Sequence, residues 1–275
     1  MKQNLFDLEG RVVVMTGATG VLGKSICMYF AQQGAKVAII VRESSTSKGE
    51  ALVSAIRAEG GDAEYFVADI MDKSSLEAAR EQVMARYGKV DILMNAAGGN
   101  MPAATVAPDK TIFDLNTDAV KTVTDLNLFG TVLPTMVFAK PMANQKSGSI
   151  INFASESALR PLTRVAGYGV AKAAVVNWTK YLCAEMAMKF GEGIRVNAIA
   201  PGFMVNERSK TYLGTVEDGL TKRGETVISH TPMGRFGEAS DLIGCAKWLL
   251  NEELSGFVTG VTVPIDGGFL TLGGV

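Results

Sequence analysis

Histidine and cysteine are scarce in this chain of 275 residues: His230 is the sole histidine, and Cys27, Cys183 and Cys245 are the cysteines. One imidazole cannot build a histidine-based zinc site, and no cysteine pair has ligand spacing, so metal catalysis is not expected. Odd in number and scattered through helical patterns, the thiols read as reduced core groups. A run of about 18 or more apolar residues, the length that crosses a bilayer, is absent. The start, Met1 to Asp7, lacks a signal-peptide core, and a cytoplasmic location away from membranes is the expectation. An excess of one charge is missing too. The 27 basic and 28 acidic residues give a net −1, with no basic stripe that would suit nucleic acid.

What is present is an ordinary globular composition, 47% hydrophobic with 30 glycines, and enough chain to bury a large core. A short apolar run, Arg11–Thr16, stops at Gly17-Ala18-Thr19-Gly20-Val21-Leu22-Gly23, and an amphipathic helix follows to about Gln33. Strand, glycine turn and helix N-terminus together make a pyrophosphate site, because backbone N–H groups and the helix dipole face the anion. Strands at Lys36–Val41, Ala63–Val67, Val90–Met94, Ser149–Phe153, Arg195–Ile199 and Val261–Ile265 alternate with helices at Lys48–Glu59, Ser74–Tyr87, Asp118–Met142, Tyr168–Phe190 and Ser240–Leu250. That alternation predicts a single α/β domain over residues 1–275, doubly wound around a parallel sheet of about seven strands. The stretch 201–237 has little periodicity and reads as a substrate lid.

Ligands in such sheets sit beyond the carboxyl ends of the strands. Those ends carry Asp69 and Ile70, then Asn95-Ala96-Ala97-Gly98, then Ser155, then Pro201-Gly202 and Met204. Tyr168 and Lys172, four apart on one helix, share a face one turn from each other. An ammonium there favours a phenolate. Bringing a tyrosine from about 10 to roughly 7 takes about 4 kcal/mol, which a lysine and a positively charged oxidised cofactor can supply together.

With these residues in place, the whole chain resembles the short-chain dehydrogenase/reductase family, whose fold is Rossmann-type. The matching features are Gly17 through Gly23, Asp69, Asn95–Gly98, Asn127, Ser155, Tyr168 with Lys172, Pro201-Gly202 and Asp266-Gly267-Gly268. The resemblance implies NAD(P)-dependent hydride transfer between alcohol and ketone, a tetrad of Asn127, Ser155, Tyr168 and Lys172, and a homotetramer. In the tetrad it gives Lys172 the nicotinamide ribose and Asn127 a relay water. Cofactor contacts are expected from Gly17, Thr19, Gly20, Val21, Leu22, Arg42, Asp69, Ile70, Asn95–Gly98, Tyr168, Lys172, Pro201, Gly202 and Met204.

Three departures from the family pattern stand out. The middle glycine of the turn is Gly20, where the usual pattern puts it at Val21, and Gly20 is expected to supply the permissive dihedrals. Val41 stands where NAD-preferring relatives carry an acid; with Arg42 beside it, the preference leans to NADP. Asn206 replaces a threonine that faces the carboxamide. Asn95–Asn100, Arg160–Arg164 and His230–Gly237 resemble the D-mannonate oxidoreductase (fructuronate reductase) branch, which implies a sugar-acid substrate contacted by Asn100, Ser155, Glu156, Arg160, Arg164 and Tyr168. Arg160 or Arg164 is expected to clamp its carboxylate. Gluconate, a polyol or a 3-oxoacyl thioester are alternative substrates, and a non-catalytic cofactor-binding sensor or scaffold is the alternative outside enzymes.

Overall fold

The computed structural model describes residues 7–215 and 218–273, without the side chains of residues 207 and 208. Its order is β1 (Val12–Thr16), α1 (Val21–Gln32), β2 (Lys36–Val41), α2 (Thr46–Ala58), β3 (Asp62–Val67), α3 (Lys73–Tyr87), β4 (Ile92–Asn95), α4 (Thr117–Gln145), β5 (Gly148–Phe153), α5 (Ala166–Phe190) and β6 (Ile194–Pro201). Next come α6 (Glu207–Leu213), the hairpin β7 (Gly214–Thr215) and β8 (Gly219–Leu220), α7 (Lys222–Ser229), α8 (Asp241–Leu250), α9 (Glu252–Ser255) and β9 (Thr262–Ile265). The large sheet has seven strands in the order β3-β2-β1-β4-β5-β6-β9, and its neighbours are all parallel. The predicted doubly wound α/β sheet is the one observed.

Every residue of β1 is buried, as a central parallel strand covered on both faces requires. Successive side chains feed opposite layers. Val13 and Met15 pack with Ile26, Phe30 and Leu249 from the α1 and α8 side, whereas Val14 packs with Leu76, Phe138 and Leu182 from α3, α4 and α5. Helix α3 starts where Asp72 accepts from the N–H groups of Ser74 and Ser75, and it stops at Gly88 with φ 77°.

The order reverses between β1 and β4, and register aligns the carboxyl ends around that point. Thr16 pairs with Asn95, Asn95 with Asn152, and Pro201 with Ile265. The chain segments that leave those ends form one rim.

The stretch between β6 and α8 is not structureless. Leu213, Val227 and Phe236 form a small core with Phe203, Val205, Leu220 and Ile228, which holds α6, the hairpin and α7 as a unit over the rim. The segment after β9 turns back across it: Met233 N–H donates to Gly267 O at 3.1 Å.

Candidate active site

Gly17 leaves β1 at φ 70°, and a Cβ there would lie 2.5 Å from the Ala96 carbonyl, so turn and neighbouring strand end meet through bare backbone. A Cβ on Gly23 would come 2.3 Å from Gly17 O, so the helix also needs glycine to sit on the turn. Gly20 corrects the expectation. Its φ is −75° and ψ 165°, ordinary extended backbone, and the permissive dihedrals belong to Gly17. Gly20 caps α1 without a side-chain hydrogen bond, and the first turn has no acid. The N–H groups beyond it, toward Val21 and Leu22, therefore face the rim free for an anion. The cradle fits a dinucleotide pyrophosphate. Thr19 lies in the same turn, half-buried.

Arg42 is exposed after β2, with Nε 3.4 Å from Ser45 Oγ and its Nη atoms directed to no acid among the described residues. Asp69 is exposed and accepts from Met71 N–H at 2.9 Å, while Ile70 packs on α4 where a Cβ on Gly130 would be 2.8 Å from its Cδ1. Ala96 and Ala97 are partly exposed, as a flat ligand surface requires. Two side chains expected at the cofactor face elsewhere. Asn95 is buried and donates from Nδ2 to Thr135 Oγ1 and Asn152 Oδ1, both at 2.9 Å, tying β4 to α4 and β5. Met204 is buried in the core against Gly237. Asn206, expected at the carboxamide, caps α6 by accepting from Ser209 N–H at 2.9 Å. Pro201-Gly202 hugs β9, where a Cβ on Gly202 would lie 2.7 Å from Asp266 Cα.

Ser155, Tyr168 and Lys172 converge at the end of β5. Tyr168 stands beside Ser155, which favours its phenolate, and Ser155 Oγ accepts from Ser157 N–H at 3.2 Å and Ser157 Oγ at 3.0 Å. Lys172 Nζ donates to Phe153 O at 2.7 Å and lies 5.7 Å from the Tyr168 ring centre. Burial pushes Tyr168 up to about 12, with Ser155 opposing and Tyr212 and Glu156 adding to the rise. Burial pulls Lys172 down to about 8. The expected lowering of Tyr168 by Lys172 is therefore not a property of the protein alone, because that ammonium is desolvated and spent on a carbonyl. Asn127 is tied into the loop after β4. Its Oδ1 accepts from Gly99 N–H at 3.1 Å, and its Nδ2 donates to Gly99 O and Val123 O at 2.7 Å. That amide pins the loop beside Lys172. Gly98 must lack a side chain there, since a Cβ would sit 2.5 Å from Asn127 Oδ1 and 3.4 Å from Lys172 Nζ.

Around this cluster, Glu156 is buried and its Oε2 has no hydrogen-bond partner among the described residues. Burial, and secondarily the Asp266 carboxylate, pushes its carboxyl up to about 8. Asn100 lies half-buried after β4. Arg160, one of the two expected carboxylate clamps, uses Nη1 on the chain itself: it donates to Phe269 O at 3.4 Å and Leu272 O at 3.1 Å, fastening the segment after β9. Arg164 is exposed at φ 75°, its carbonyl held by Val106 N–H at 3.0 Å. Sequence reasoning passed over Tyr212 and Arg223, which lie in the stretch without periodicity. One signal was available: Thr221 caps α7 by accepting from Gly224 N–H at 3.1 Å, a residue type that marks helix starts.

A phenol able to pass a proton, set beside a dinucleotide cradle, is the equipment of an NAD(P)-dependent oxidoreductase working between alcohol and ketone. Comparison with known proteins places the chain more narrowly. Residues 17–270 match the family model described as Enoyl-(Acyl carrier protein) reductase. The uncharacterized oxidoreductase UxuB of Bacillus subtilis is 41% identical, with 98% of each chain covered. A provisionally assigned D-mannonate oxidoreductase from Haemophilus influenza, solved with bound NAD, superposes with a TM-score of 0.91 at 36% identity over 98% of each chain. A gluconate 5-dehydrogenase from Burkholderia cenocepacia, in complex with NADP and tartrate, gives 0.84 at 30% identity over 96% of each chain. The chain belongs to the short-chain dehydrogenase/reductase family.

Proposed function

We propose that this enzyme interconverts a keto-sugar acid and an aldonic acid of the D-mannonate/D-fructuronate type. The observation that carries the chemistry is the meeting of Ser155, Tyr168 and the buried Lys172 at the carboxyl end of β5. The sugar-acid class is supported by likeness to the Haemophilus protein. When bound, the nicotinamide exchanges hydride with the substrate carbon. Ser155 donates a hydrogen bond to the oxygen that gathers negative charge, and Tyr168 protonates it. A phenol held up near 12 keeps its proton at neutral pH, the state that reduction needs. Lys172 holds the nicotinamide ribose. Asn127 is a positioning residue that fixes Gly99 and the space around Lys172 Nζ.

Arg42, with no acid at Val41 beside it, supports a preference for NADP, its guanidinium meeting the 2′-phosphate. The unit of α6, hairpin and α7 closes over the substrate as a lid. Exposed Phe129 and Met136 on α4 and Val170, Tyr181 and Met188 on α5 support a homotetramer joined through that helix pair. No helix among the described residues is long and apolar enough to cross a membrane, and a cytoplasmic site of action is part of the reading.

The test is a panel of keto-sugar acids, neutral ketoses and 3-oxoacyl thioesters with NADH and NADPH. The highest kcat/KM is expected with a keto-sugar acid. A gluconate-type substrate is the second reading, favoured by the Burkholderia neighbour. A thioester or neutral ketose in first place would overturn the substrate class, and nucleotide binding without turnover of any carbonyl would leave a sensor or scaffold.

A further inference from the structure

Arg223 stands in the first turn of α7 with its guanidinium turned inward. Its Nη1 reaches Thr163 Oγ1 at 3.5 Å, which brings it against the loop that carries Arg164. Its Cζ lies 5.9 Å from the Phe203 ring centre, and Phe203 in turn packs edge-on against Phe269 at 5.4 Å. Arg223 is thus half-buried between the lid unit, the loop after β5 and the segment after β9. Among the described residues neither Arg223 nor Arg164 has a carboxylate partner, although the chain has ion pairs elsewhere, such as Arg235 with Asp241 at 2.7 Å.

Arg223 thus reaches the chain neighbour of Arg164, and two like charges brought to one loop from separate elements repel, a cost that the partial burial of Arg223 increases. Consistent with that, burial and then Arg164 pull Arg223 below the usual arginine range. An anion between them relieves both costs. Thr163 stands in the segment that runs from Ser155 to Tyr168, so an anion held there lies against the stretch of chain that carries the reaction centre.

We infer that Arg223 and Arg164 together form the carboxylate clamp of the substrate, with Arg223 the residue that selects sugar acids over neutral ketoses. The inference rests on the sugar-acid reading above. A guanidinium matches a carboxylate with two parallel N–H···O bonds, which an ammonium cannot reproduce. Arg160, fastened to Phe269 and Leu272 carbonyls, serves instead to hold the wall of this subsite.

Steady-state kinetics on Arg223→Gln, Arg164→Gln and Arg223→Lys, with a keto-sugar acid and the ketose of equal length lacking the carboxylate, test the assignment. The wild type should prefer the acid. Arg223→Gln should raise KM for the acid roughly 10- to 100-fold, the loss expected for a charge-assisted hydrogen bond, leave KM for the neutral ketose within about threefold, and largely erase the preference. Arg164→Gln should do the same more weakly, and Arg223→Lys should recover part of the loss. A wild type with no preference for the acid would overturn the sugar-acid reading and this clamp with it. A wild type that prefers the acid, with variants that keep that preference, would overturn the clamp alone. Equal losses on both substrates would show a general disturbance of the lid and count against the clamp, and a wild type faster on a phosphorylated ketose would reassign the arginines to phosphate. Should Arg223→Gln fail to fold, Arg223→Lys and Arg164→Gln decide by the same ratios.

Discussion

Lys172 Nζ lies 5.7 Å from the centre of the Tyr168 ring while donating at 2.7 Å to the Phe153 carbonyl. The helix spacing places ammonium and phenol on one face, yet the ammonium is anchored to the end of β5 and held down near 8 by burial. Tyr168 is left protonated, at about 12. The protein by itself thus sets up the acid form of the pair. Four kinds of measurement follow from this site and its surroundings.

The cradle turns on Gly17, not Gly20. In Gly17→Ala the methyl would lie 2.5 Å from Ala96 backbone atoms at φ 70°, and strained left-handed backbone alone costs about 1–3 kcal/mol. Thermal melting should show a marked loss of stability, and cofactor affinity measured by nicotinamide fluorescence should fall with it. Gly20→Ala, at φ −75° with its nearest contact at 3.2 Å, should melt within a few degrees of the wild type. Equal destabilisation by both would refute the asymmetry.

Arg42 is proposed to meet the 2′-phosphate of NADP. Arg42→Ala should weaken NADPH binding roughly 10- to 100-fold, the worth of a charge-assisted contact, and leave NADH binding almost unchanged. Titration of the variant with each nucleotide checks this. Parallel losses for both nucleotides would instead make Arg42 an adenine-stacking residue.

Glu156 gives a pH signature. Its folded pKa of about 8 stands above the ordinary value of 4.5, so the folded state binds the extra proton between those limits. Stability therefore falls as pH rises from about 4.5 to 8 and levels off above that. Glu156→Gln removes the titration. Its melting temperature relative to wild type should climb across that window and then stay constant. A difference independent of pH would mean that the Glu156 carboxyl is not held protonated by its burial.

Much of this was legible in the sequence, for physical reasons that differ along the chain. Buried runs such as Val12–Thr16, alternating with helices, read as strands covered on both faces, so the parallel doubly wound sheet was legible while the order of its strands was not. The stretch after Pro201 was illegible as structure because its helices are short and its core is built from residues of separate turns, Leu213, Val227 and Phe236. Periodicity cannot reveal such a core. Side-chain direction was the other limit. Arg160 is well placed in sequence to meet a substrate, but carbonyls of Phe269 and Leu272, more than a hundred residues away, take its Nη1. Asn127 is legible as a tetrad position by resemblance alone, while its bonding to Gly99 backbone depends on how tightly the loop after β4 closes.

Proton transfer by Tyr168 is the central claim, and Tyr168→Phe tests it most directly. The substitution removes the hydroxyl that stands beside Ser155 and leaves the ring against Ala104, Ala119 and Val123. With nucleotide binding and turnover of the best panel substrate measured side by side, the account predicts unchanged cofactor affinity and a fall in kcat of about 100- to 10,000-fold. Turnover within about tenfold of wild type, where general acid catalysis would be missing, would contradict it.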